Sequence, residues 1–86
     1  MGIKFTEHAK ERIEQRGATE GEVTETLAEG TEVQAKKGRK VKEMVFDYNR
    51  EWLGRTYSQK KVSVVYTEEG EDVVVITVKV YYGDWR

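Results

Sequence analysis

The spacing of apolar residues changes period near residue 32, and no other feature of this 86-residue chain restricts its fold as much. Before that point Ala9, Ile13, Val23 and Leu27 recur at helical separations; after it apolar side chains recur at every second position. A chain with that division predicts a helical pair followed by a sheet. It is too short to bury two cores, so residues 1–86 are expected to form a single domain.

Local signals place the boundaries. Ile3-Lys4-Phe5 reads as a short edge strand, Thr6 as the N-cap of a first helix, and Gly17 as the left-handed residue that ends it. Thr19-Glu20-Gly21-Glu22 is a capping box that opens a second helix, which runs to about Glu29 and closes at Gly30. The remaining chain reads as a short strand at 32–35, a cationic turn at 36–40 and a strand at 41–48. An irregular stretch at 49–54, a strand at 57–66, an acidic turn at 67–72 and a strand at 73–81 follow. Residues 73–81 are apolar almost throughout, which places them near the centre of the sheet. Strict alternation there would send Val74, Ile76, Val78 and Val80 to the helices and leave Val73, Val75, Thr77, Lys79 and Tyr81 on the outer face. The expected fold is α+β: two N-terminal helices on one face of a three- to five-stranded, mainly antiparallel sheet, in the order β-α-α-β-β-β.

Composition removes several chemistries. With no cysteine there is no disulfide, zinc–thiolate site or thiol nucleophile, and one histidine cannot build a multi-histidine metal site. No cofactor or metal is expected. No apolar run is long enough to cross a bilayer, and a cytoplasmic location is the expectation. The net charge of −1 argues against a general nucleic-acid coat, but its distribution is uneven. Residues 34–61 hold nine Lys or Arg against three acids, whereas residues 19–33 hold five glutamates and no base.

The first helix carries a second signal. His8, Arg12 and Arg16 repeat every fourth residue and form one cationic stripe beside Ala9 and Ile13. Like charges four apart cost a helix a few tenths of a kcal/mol, so something anionic, in the fold or on a ligand, is expected to face them.

These residues also carry a resemblance. His8-Ala9, Arg12, Arg16-Gly17, Thr19, Val23 and Leu27 resemble the H-A-x-x-R-x-x-x-R-G opening of the bacterial domain-of-unknown-function family 4258. Gly54-Arg55, Tyr57, Lys60, Val64-Val65-Tyr66, Glu69-Gly70, Val75 to Val78, Tyr82-Gly83 and Trp85 extend it over nearly the whole chain. The resemblance implies a RelE/ParE/BrnT-like toxin fold, whose members are often metal-independent ribonucleases paired with antitoxins. A shared fold does not by itself carry an activity.

Cleaving RNA without metal requires a proton-transfer pair and fixed positive charge on the phosphate. His8 is the natural acid or base, Arg12 and Arg16 the phosphate clamps, and Lys60 a further catalytic charge from the sheet. Arg55, Tyr57 and the basic turn residues Lys37, Arg39 and Lys40 are candidate substrate contacts. Each has a plainer reading: His8 bonding a strand backbone, the arginines tying the helix to Glu43 or Asp47, and the basic turn guarding a sheet edge. The function expected is RNA binding or cleavage, with RNA and an antitoxin-like protein as partners. The alternative is a non-enzymatic protein-interaction module. If the outer sheet face is uncovered, Val73, Val75 and Tyr81 there would meet an antitoxin or form a homodimer.

Overall fold

The structure, a computed structural model, describes residues 2–33 and 37–85. Its elements are β1 (Ile3–Phe5), α1 (Glu7–Arg16), α2 (Glu20–Glu29), β2 (Thr31–Val33), β3 (Lys40–Trp52), β4 (Arg55–Glu69) and β5 (Asp72–Gly83). The five strands form one sheet in the order β1-β5-β4-β3-β2, with β1 parallel to β5 and every other pair antiparallel. The α+β architecture is the one the change of period predicts. The expected strand at 32–35 and turn at 36–40 lie partly outside the described residues.

The helix signals hold in detail. Thr6 Oγ1 accepts from the Ala9 amide, and the left-handed Gly17 (φ 78°) sends its own N–H back to Glu14 and Ile13. A side chain at Gly17 would collide with the ring edge of Trp52 at 2.6 Å and the Tyr82 hydroxyl at 2.7 Å, so glycine is required twice over. In α2 both arms of the capping box form, at 3.1 Å from Thr19 Oγ1 to the Glu22 amide and 3.0 Å from Glu22 Oε1 to the Thr19 amide. The helix ends without positive charge in its last turn; Lys42, from β3, donates to the Leu27 carbonyl at 2.8 Å instead.

Ala9 and Ile13 of α1 and Val23, Thr26 and Leu27 of α2 pack onto Val62, Val64 and Tyr66 of β4 and Val73, Val75, Val78 and Val80 of β5. The facing expected of β5 holds only for its second half. Val65 opposes Thr77 while Tyr66 opposes Val75, so Ile76 is an extra residue, a β-bulge. Val73 and Val75 therefore face the helices; Val74 and Ile76 are only half-buried and lie off the core. Thr6 shows why the bulge is there: its amide donates to the Val75 carbonyl at 3.2 Å and its hydroxyl to the Ile76 carbonyl at 3.0 Å. The start of α1 is hung on the two carbonyls that the bulge turns toward it.

A second correction concerns 49–54. β3 continues to Trp52 through a register shift between Asp47 and Arg50, with Asn49 left-handed at φ 51°. Leu53 (φ 51°) and Gly54 (φ 84°) then form a two-residue turn with both centres left-handed, the type I′ geometry that suits strand twist. The acidic turn likewise shrinks to Gly70-Glu71, with Gly70 at φ 63°.

Candidate nucleic-acid interface

The C-terminus of α1, the N-terminus of α2 and the β3–β4 hairpin meet at one end of the sheet. The junction is built around Lys60, which stands opposite Phe46 on β3 and Tyr82 on β5. Its side chain is 7 % exposed; the ammonium donates to the Gly17 carbonyl at 3.0 Å and pairs with Glu22 Oε2 at 2.9 Å. Glu22 thus uses one oxygen to cap α2 and the other to hold Lys60. An ammonium buried to this degree requires both partners, since an unpaired charge there would be expensive. Lys60 also lies 5.3 Å from the centre of the Tyr48 ring.

Around this ion pair the aromatic residues cluster. Tyr82 stacks on Trp52 (4.8 Å, 17°) and meets Tyr48 and Tyr57 at 5.2 and 5.7 Å. Its hydroxyl donates to the Arg16 carbonyl at 2.6 Å, satisfying one of the last carbonyls of α1. Burial, then the neighbouring Tyr48 and Glu22, push the Tyr82 phenol up to about 12, so it remains a donor at neutral pH. The Arg55 guanidinium covers the Tyr57 ring at 5.6 Å. A cavity of about 430 Å³ opens here, lined by Gly17, Thr19, Glu22, Asp47, Tyr48, Arg50, Trp52 and Lys60.

The structure brings together only part of the set named from sequence. Lys60, Arg55 and Tyr57 belong to this junction, and Arg16 reaches it through its backbone. His8 is exposed at the other end of α1, about 13 Å along the axis from Gly17. Arg12 donates to Gln15 at 2.6 Å within its own helix. Lys37, Arg39 and Lys40 lie at the far end of β3, where Lys40 pairs with Glu68 and stands opposite Tyr66. That ion pair raises the Lys40 pKa and lowers that of Glu68. Six residues of strand, about 20 Å, separate Lys40 from the position opposite Lys60.

Sequence reasoning did not single out Glu22, Tyr48, Trp52 or Tyr82 for this site. Glu22 was legible only as a cap, Trp52 and Tyr82 as apolar anchors, and Tyr48 as one residue of an alternating strand. Their convergence depends on cross-strand register, which one sequence does not display. Among the described residues no group of three His, Cys, Asp or Glu could hold a metal, and no helix is long and apolar enough to cross a membrane.

Comparison with curated proteins and with solved structures finds no match. A family model described as a domain of unknown function, DUF4258, matches residues 5–80, a span that leaves out only the first two residues of β1 and the last three of β5 among the described elements. On that match, which takes in the helix stripe, the Glu22–Lys60 pair and the hairpin, the chain belongs to the DUF4258 family.

Proposed function

We propose that this chain binds single-stranded RNA at the α1–α2–hairpin junction. The observation that carries the reading is the interleaving of cations with aromatic rings at this junction: Arg50 and Lys60 line the cavity with Trp52 and Tyr48, and outside its lining Arg55 lies over Tyr57, whose ring meets Tyr82. Unpaired bases stack on aromatic faces of any sequence, while arginine forks grip the phosphates between them. Lys60 acts here by position, since both its partners are protein groups. Arg50 and Arg55 are the phosphate contacts, and Tyr57 and Trp52 the stacking surfaces. The likeness of the family to RelE-type toxins is part of this proposal, as are cleavage by His8 with Arg12 and Arg16 and an antitoxin-like partner.

Fluorescence anisotropy with a labelled single-stranded oligoribonucleotide tests it. Tyr57→Ala and Arg55→Ala should each weaken binding about tenfold or more without lowering the melting temperature much. Affinity should fall steeply with salt, and less steeply for Arg55→Ala. Wild-type protein that fails to bind at low salt, or variants that bind as well as it does, would defeat the reading. The same RNA followed on gels with His8→Ala separates binding from cleavage: unchanged binding with lost scission assigns His8 the proton transfer.

A further inference from the structure

No helix or strand among the described elements covers the face of the sheet turned away from the helices, although Trp85 folds onto its Gln59–Lys61 end, and its residues form rows that the strand registers define. One row runs Thr77, Val65, Val41, Val33; the next Lys79, Ser63, Glu43, Thr31; the third Tyr81, Lys61, Val45. The first row is half-buried throughout its three valines, and the third joins Val45 to the 47 % exposed Tyr81. Between these apolar rows lies one with a cation on β5, a small residue on β4 and an anion on β3. Neither Lys79 nor Glu43 takes part in an ion pair among the described residues.

We propose that this face docks on a second copy of the same chain, related by a two-fold axis that runs along β4. Such an axis exchanges the β5 and β3 sides while leaving each row at its own level. Lys79 of one copy then stands over Glu43 of the other, and the same contact repeats on the opposite side. Val65 meets Val65, and Thr77 and Tyr81 pack onto the second copy's Val41 and Val45. Ser63, on the axis, is small enough to let the flanking charges approach at the roughly 10 Å spacing of stacked sheets. Lys61 also sits on the axis, but its ammonium is drawn aside over the rings of Tyr81 and Trp85, at 5.6 and 5.4 Å. A two-fold along the rows would instead set Lys79 on Lys79 and Glu43 on Glu43, so charge selects the first arrangement.

Sedimentation velocity on the full chain, over a wide concentration range and at low salt, reads the result. Wild-type protein should reach twice the chain mass. Lys79→Glu and Glu43→Lys should each bring it back to one chain mass with unchanged circular dichroism, both sites being outside the core. The double variant Lys79→Glu/Glu43→Lys should dimerise again. A wild type of single-chain mass throughout overturns the proposal and leaves the face to a different partner. Single variants that still dimerise, or a double variant that does not recover, overturn the two-fold along β4.

Discussion

Removing the Lys60 ammonium is the sharpest perturbation of the junction, and the surrounding geometry sets its size. Lys60→Met keeps most of the buried stem but deletes bonds to Gly17 and Glu22. Breaking a buried pair typically costs about 3–5 kcal/mol. Here the orphaned Glu22, its side chain 21 % exposed, still caps Thr19, so part of its hydration returns and about 2–3 kcal/mol is expected. Glu22→Gln preserves a capping acceptor yet strands an ammonium whose side chain is 7 % exposed, so it should cost more, about 3–5 kcal/mol. Once either partner is gone, removing the other relieves a buried charge. The double variant Lys60→Met/Glu22→Gln should therefore lose less stability than the sum of the two single losses, by a coupling of about 2–3 kcal/mol. Urea melts of the four proteins at neutral pH measure the cycle, and 1 M salt should change the coupling little because the pair is shielded from ions. Additive losses would refute the reasoning.

Three further expectations follow from particular residues. Val75→Ala should cost about 2–3 kcal/mol in urea melts and Ile76→Ala much less, because the bulge leaves the smaller side chain in the core; the reverse order would put the bulge in doubt. Leu53, 88 % exposed at a left-handed φ, should be improved by asparagine, with Leu53→Asn raising the melting temperature by several degrees, and a lower value would contradict the turn assignment. Hydrogen bonds from the Ser58 amide and hydroxyl lower the Asp84 pKa below its usual 3.8, so their contribution is complete above that value and is lost as pH falls through the lowered one; the fluorescence of adjacent Trp85 should report that loss in wild type and show no such step in Asp84→Asn.

The helices were legible because their signals are local. Thr6, Gly17, Thr19 and Glu22 each act within a turn of chain, and the structure places the caps where the spacing does. Alternation in β5 was legible only up to a slip of one residue. Six consecutive β-branched or threonine positions, 73–78, carry no polar marker to show where the facing changes. What imposes the change is Thr6, some seventy residues earlier, and a contact of that range leaves no mark on local periodicity. The candidate site divides in the same way. Lys60, Arg55 and Tyr57 stood out by residue type, whereas Glu22, Tyr48, Trp52 and Tyr82 become neighbours only through register and a glycine without a side chain.

The pairing of β1 with β5 bears on the order in which the chain assembles. β3, β4 and β5 are joined by two-residue turns and can zip from their own hairpins. The Gly2 amide reaches Asp72 and the Thr6 hydroxyl reaches Ile76, contacts that each close 70 residues of chain. Closing a loop of that length costs about 4 kcal/mol in chain entropy beyond a constant. A three-residue strand repays little of that by itself, so β1 docks after the meander has brought β5 into place. The amino-terminal strand is then expected to lock a sheet already formed and to be released before the meander parts.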